Sequence, residues 1–240
     1  MIMSLISQNL QVVHEAIALS AARYGRNPTE IALLAVSKTF GAEHVVQAWQ
    51  AGQRMFGENY VQEGVDKIAE VRRLLADDRA ADQLLWHFIG PIQSNKTRPI
   101  AENFSWVHSI DREKIATRLS EQRPAHLGKL QVCLQVNISG EASKSGVSPD
   151  QLLALAKHVV QLPNLSLRGL MCVPEANEDE VAQRQAFRSL ADLRQQLQTQ
   201  GIMLDTLSMG MSADMQAAIA EGSTMVRIGS AIFGKRNYAV

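Results

Sequence analysis

Eight short apolar runs, each followed by a stretch of helical periodicity, constrain this chain more than any other feature. The runs fall at residues 33–36, 54–59, 84–89, 105–110, 130–137, 165–171, 204–208 and 224–228. Between them, helices are predicted over 42–51, 60–75, 93–102, 112–123, 150–161, 179–199 and 213–220, with a further one at 5–24 ahead of the first strand. Near-continuous apolar strands suit a parallel sheet covered on both faces, because neither face meets water. Strand and helix alternating with no low-complexity linker predict a single-domain (β/α)8 TIM barrel. An open doubly wound sheet is the other topology the pattern allows. The length of 240 residues suits one barrel over 1–240 with an extra N-terminal helix, and a hydrophobic fraction of 46% is ample for one core.

Within the elements, Leu5, Ile6, Leu10, Val13, Ile17 and Ala21 form the apolar face of the first helix, and Asp111 reads as the N-cap of helix 112–123. Lys+Arg and Asp+Glu both number 24, so no net field draws the protein to nucleic acid or an anionic membrane. An anion must then be held by a local site. No apolar segment approaches the ~20 residues of a membrane helix. Residues 1–9 have no basic region and no long apolar run, so no signal peptide is expected. Cys133 and Cys172 lie inside apolar runs, where free cysteine behaves as a small hydrophobe, which fits a reducing, cytoplasmic compartment.

A barrel's working face is built from the loops that follow its strands. Lys38 ends the first run. Period-two alternation sets Leu34, Val36 and Lys38 on one face, so if the first two fill the interior, Lys38 points into its mouth. Desolvation there lowers an ammonium's pKa and favours the nucleophilic amine that forms Schiff bases. The plainer alternative is a lysine that simply turns into solvent. Glu58 and Asn59 end the second run, Ser208-Met209-Gly210-Met211-Ser212 leads out of the seventh, and Arg227-Ile228-Gly229-Ser230 leads out of the eighth. Small residues in the last two loops, ahead of a helix at 213, suit a phosphate cradle, although Ser and Gly are also ordinary loop residues. Met225, Arg227 and Gly229 share the interior face of the eighth strand, with Val226 and Ile228 turned to the helices. A buried guanidinium needs a partner. That partner is either an ion pair with Glu58 or Asp205, or a ligand acceptor such as the pyridine nitrogen of pyridoxal phosphate. Closure of a barrel would set Lys38 and Arg227 around one ring.

Seven stretches carry a resemblance. They are Ala35-Val36-Ser37-Lys38-Thr39, Phe56-Gly57-Glu58-Asn59-Tyr60-Val61-Gln62-Glu63, Trp86-His87-Phe88-Ile89-Gly90-Pro91-Ile92-Gln93-Ser94-Asn95-Lys96, Ser143-Lys144-Ser145-Gly146, Gly169-Leu170-Met171, Leu207-Ser208-Met209-Gly210-Met211-Ser212 and Val226-Arg227-Ile228-Gly229. Together they resemble the pyridoxal-phosphate homeostasis protein family over almost the whole chain. The resemblance implies a barrel similar to the N-terminal domain of alanine racemase, with pyridoxal 5'-phosphate held covalently at Lys38 as a Schiff base. It also implies Arg227 facing the pyridine nitrogen, Asn59 beside the ring, and Ser208, Met211, Gly229 and Ser230 as phosphate contacts.

The implied role is to hold the cofactor for intracellular vitamin B6 homeostasis and delivery, with apo pyridoxal-phosphate enzymes as candidate partners. Strong catalysis is not expected. Racemisation needs a second acid/base, which in alanine racemase comes from a second domain of a partner subunit, and that domain is not recognisable here. A monomer is therefore expected. An arginine at the ring nitrogen also leaves the pyridine unprotonated and the electron sink weak. A pyridoxal-phosphate racemase of low activity and a Schiff-base aldolase-like enzyme stand as alternatives. His87 either approaches the cofactor or is a core histidine satisfied by backbone. Lys144, Lys235 and Arg236 either form a second basic site for the cofactor phosphate or are solvated charges.

Overall fold

The computed structural model describes residues 4–140 and 145–235. Among the described residues, eight strands run parallel and close into a barrel in sequence order. They are β1 (Ala32–Val36), β2 (Met55–Glu58), β3 (Leu85–Phe88), β4 (Trp106–Ile110), β5 (Leu130–Gln135), β6 (Leu165–Met171), β7 (Thr206–Ser208) and β8 (Met225–Ile228). The helices are α1 (Leu5–Arg23), α2 (Ala42–Gln50), α3 (Val61–Leu75), α4 (Asp78–Ala81), α5 (Thr97–Asn103), α6 (Glu113–Gln122), α7 (Pro149–Val160), α8 (Glu180–Thr199), α9 (Met215–Ala220) and α10 (Ser230–Phe233). Pairing of β1 with β8, from Ala32 opposite Met225 to Ala35 opposite Ile228, closes the sheet and excludes the open doubly wound alternative.

Alternation along each strand sorts the core into two layers. Leu33, Ala35, Phe56, Trp86, Phe88, Val107, Val132, Leu134, Leu207, Val226 and Ile228 pack outward against the helices in one continuous cluster. Trp106, Cys133 and Met171 form a separate cluster, and Leu34 and Val36 belong to neither. Phe56, Phe88, Phe104 and Phe187 are fully buried, each worth about 1.5–3 kcal/mol relative to exposure.

Helix α1 solves a local problem. Among the described residues, the element after β8 is the four-residue α10, too short to cover the β8–β1 seam. α1 packs against α2, α9 and α10 and buries Ile6, Leu10, Val13, Ile17 and Ala21 there. Asn9 Nδ2 donates to the Ile232 carbonyl at 2.9 Å, and Arg26 donates to the carbonyls of Ile219 and Ser223 at 3.0 and 2.6 Å.

Local readings differ from the sequence expectation at three points, the first being Leu5, which is exposed at the start of α1 and not on its buried face. Asp111 does not cap α6: the N-cap is Arg112, and Asp111 instead takes the Arg112 guanidinium at 2.7 Å. An adjacent cation makes the stronger, charge-assisted bond with the carboxylate. The short α4 has no apolar stripe that would announce it. Among the described residues, no helix is long and apolar enough to cross a membrane, and no His/Cys/Asp/Glu group is arranged to hold a metal ion.

Gly169 on β6 sits where a Cβ would come within 1.8 Å of the Thr206 carbonyl oxygen of β7. Backbone cannot yield as a flexible side chain does. Gly169→Ala is therefore expected to lower the free energy of unfolding by at least ~2 kcal/mol, read from urea denaturation. An unchanged midpoint would contradict the β6–β7 approach.

Candidate functional site

Four strand ends bring the predicted residues to one mouth. Lys38 lies in the turn two residues beyond β1 and is half-buried. Thr39, next to it, has φ 69°, a left-handed conformation that is an outlier for a β-branched residue. Its N–H donates to Glu63 Oε1 of α3 at 2.5 Å. Asn59 follows β2 directly and is half-buried. Its Oδ1 is buried and has no hydrogen-bond partner among the described residues. Gly90, after β3, presses against it so closely that a Cβ would lie 2.0 Å from the Asn59 carbonyl oxygen. Ser109 Oγ donates to the Gly90 carbonyl at 2.5 Å and holds that loop down.

Ser208 and Arg227 lie deeper. Arg227 Nη1 donates to the Ser208 carbonyl at 2.6 Å and to Ser208 Oγ at 2.8 Å, while Nη2 donates to the Cys172 carbonyl at 2.8 Å. Neither carboxylate considered from the sequence reaches it. Glu58, whose side chain shares the outward face with Phe56, is paired with Lys67 of α3 at 2.7 Å, and Asp205 is paired with Arg168 at 2.5 Å. The guanidinium is thus a buried cation held by neutral oxygens. Burial lowers its pKa from the ordinary value, yet an arginine stays protonated. Arg227 is level with Leu34 in the β1–β8 register, so Lys38 begins four residues further toward the mouth.

From Ser208 a line of hydrogen bonds crosses the interior. Ser208 Oγ lies 2.8 Å from His108 Nδ1, and His108 Nε2 lies 2.9 Å from His87 Nδ1. His87 stacks on Trp106 with ring centroids 5.2 Å apart and planes 8° from parallel. His87 is thus satisfied by another histidine rather than by backbone, and its Nε2 has no partner among the described residues. One consistent proton assignment runs all donors away from Arg227: Ser208 O–H to His108 Nδ1, then His108 Nε2–H to His87 Nδ1.

The other predicted residues lie at the rim. Met211 is exposed and its N–H donates to Asp214 Oδ1 at 2.5 Å, so that donor is already engaged. Gly229 is buried as the N-cap of α10, and Ser230, the first residue of α10, is exposed. Loops 7 and 8 adjoin, with Arg227 N–H donating to the Gly210 carbonyl at 2.9 Å. Gly210 has φ 97°, and a Cβ there would meet Ala218 Cβ at 2.5 Å. Lys235 is exposed, and Lys144 and Arg236 lie outside the described residues. Cys133 and Cys172 are buried and free, and burial pushes both thiols up to about 12, so neither is a nucleophile at neutral pH.

The sequence reading missed His108, Lys67 and the Cys172 carbonyl. Lys67 left a signal, since it occupies the buried stripe of α3 together with Gly64 and Val71. His108 alternates with Trp106 on β4, but its bond to Ser208 spans 100 residues and exists only once the barrel closes.

Burial brings the His87 pKa down to about 3, and burial, then His87 and Arg227, hold His108 well below its ordinary value. Unfolded histidines titrate near ~6.5. Below that pH and above the folded values, the unfolded chain binds more protons than the native one, so stability is lost as pH falls through this window. Each histidine contributes at most about 1.4 kcal/mol per pH unit. The unfolding free energy of wild type is expected to fall more steeply between about pH 6.5 and 4.5 than that of His87→Gln, measured by urea titration. Parallel slopes would show that His87 is not buried in its neutral form.

The family described as alanine racemase, N-terminal domain, matches residues 11–237. A pyridoxal phosphate homeostasis protein from Vibrio cholerae is 58% identical over 234 residues, which cover 98% of this chain and 98% of that protein. The structure of PipY from Synechococcus elongatus with PLP bound is similar at TM-score 0.76 and 35% identity, covering 91% of this chain and 100% of that one. Alanine racemase from Corynebacterium glutamicum, 17% identical with TM-score 0.66, shares the fold over 99% of this chain and 62% of its own. This chain belongs to the pyridoxal phosphate homeostasis protein family, built on the alanine racemase N-terminal domain.

Proposed function

We propose that this protein binds pyridoxal 5'-phosphate at the barrel mouth and serves intracellular vitamin B6 homeostasis and delivery, without strong catalysis of its own. Lys38 would be the covalent anchor, holding the cofactor through its amine as a Schiff base. Asn59 would lie beside the ring, Arg227 would face the ring nitrogen, and Ser208, Met211, Gly229 and Ser230 would take the phosphate. The observation that carries the reading is the half-buried Lys38 at the end of β1, sharing a mouth with Asn59, whose buried Oδ1 has no partner among the described residues. The family relationship and the PLP in the PipY structure support it.

When bound, the cofactor supplies an electron sink. This chain's residues decide how far that sink is used. A guanidinium donates hydrogen bonds and does not give up its proton, so Arg227 leaves a ring nitrogen unprotonated and the sink weak. Holding phosphate through Met211 requires its N–H to exchange Asp214 Oδ1 for a phosphate oxygen. The further proposal is a cytoplasmic monomer that hands the cofactor to apo-enzymes. A racemase of low activity is the second reading, favoured by the shared alanine racemase fold.

Purified protein incubated with pyridoxal phosphate is expected to show a visible absorption band that Lys38→Ala abolishes. A wild type that stays colourless and takes up no cofactor overturns the reading. Chiral analysis with alanine and other amino acids separates carrier from racemase, since turnover of ~1 s⁻¹ or more belongs to an enzyme. Transfer to an apo-enzyme faster than free dissociation allows is the expected mark of delivery.

A further inference from the structure

Lys38 lies between two residues that one buried ionic cluster holds. On one side, Ser37 Oγ donates to Glu58 Oε1 at 2.6 Å, and the Ser37 carbonyl accepts from Lys67 Nζ at 2.7 Å. On the other, the Thr39 N–H donates to Glu63 Oε1 at 2.5 Å. Lys67 ties the sides together by donating to Glu58 Oε1 at 2.7 Å and to Glu63 Oε1 at 2.9 Å. An ammonium has three N–H groups, and all three of Lys67's are used. The Lys67 and Glu58 side chains are 4% and 0% exposed, whereas that of Glu63 is 30% exposed. The cluster is therefore a rigid block built from the end of β2 and the first turns of α3, with Glu63 as its outer arm.

That arm grips the strained residue. A threonine at φ 69° persists only where its surroundings impose the conformation. The group Glu63 fixes is the peptide N–H between Lys38 and Thr39, which orients the backbone on which Lys38 is carried. We propose that Glu63, anchored by Lys67, is a positioning residue for Lys38: it holds the 38–39 peptide so that Thr39 keeps its left-handed conformation and Lys38 is presented to the barrel mouth. The inference rests on the cofactor reading for its purpose and on the cluster geometry for its substance.

Glu63 is the residue to change, because removing Lys67 would strand the buried Glu58 carboxylate and risk the fold. Three variants of the full chain suffice: Glu63→Ala, Glu63→Gln, and Glu63→Ala combined with Thr39→Gly. Two readouts are taken on each folded variant. One is the stopped-flow rate of pyridoxal phosphate uptake. The other needs no cofactor: competitive acetylation of the Lys38 amine by acetic anhydride, read by mass spectrometry against the exposed Lys157 as internal reference. In Glu63→Ala both are expected to fall by roughly tenfold, the scale of a released backbone strain. Glu63→Gln keeps a carbonyl oxygen for the Thr39 N–H and is expected to stay within about twofold of wild type. Thr39→Gly is expected to restore most of the Glu63→Ala loss, since glycine adopts positive φ without penalty.

A folded Glu63→Ala protein that captures cofactor and labels like wild type overturns the inference. Failure of Thr39→Gly to restore any part of the loss does so as well. If wild type takes up no pyridoxal phosphate but Lys38 labelling still drops in Glu63→Ala, the positioning role stands and the cofactor reading falls.

Discussion

Closure of β1 against β8 is the constraint on which the remaining structure depends. The register of Leu34 opposite Arg227 turns the chain's two ends into one wall, and without it Lys38 and the loops after β7 and β8 would not share a mouth. The same closure explains α1. A barrel needs each strand pair covered, and a four-residue α10 cannot cover the seam, so the chain brings a 19-residue helix from its other end to do it. The bonds from Asn9 and Arg26 to carbonyls near the C-terminal end lock that cover in place.

Barrel interiors of this kind are filled mainly by branched apolar side chains. Here Arg227, Ser208, His108 and His87 cross the interior instead. Such a line is tolerable only when nearly every buried atom is paired, since an unmade hydrogen bond costs ~1–3 kcal/mol. The line meets that condition except at His87 Nε2. Its acceptors for the guanidinium are neutral, and burial keeps both histidines uncharged, so the positive charge of Arg227 is screened by dipoles rather than cancelled. An interior of that kind favours an anionic group nearby. Arg168 presents the contrast, since its partner Asp205 cancels its charge directly.

Most of the architecture was legible because apolar alternation and helical periodicity are local properties. The inward faces of β1 and β8 followed from period two alone, with Val226 and Ile228 turned out as expected. The misreadings share one cause, competition between partners that sequence does not rank. Asp111 had a backbone N–H and the Arg112 guanidinium to choose from, and took the cation. Glu58 looked like a mouth residue because it precedes Asn59, yet alternation already set it on the Phe56 face, where α3 supplies Lys67. The link from His108 to Ser208 was beyond local reading, because it depends on the register of strands that are not sequence neighbours.

The two lysines near the first loop divide what a lysine can do. Lys67 has all its donors committed to two carboxylates and a carbonyl, which makes it a fastener and removes it from chemistry. Lys38 is carried on the strained turn that this fastener braces. The two histidines on the line that starts at Arg227 are bound to one another and to Ser208, with pKa values held low by burial. Neither takes up a second ring proton at neutral pH. Among the described mouth residues, Asn59, Ser208, Met211, Gly229 and Ser230 do not titrate in that range either, and Arg227 keeps its proton. A lysine, a fixed cation and neighbours that do not titrate near neutral pH are what the proposed role of holding a cofactor in place asks of a site.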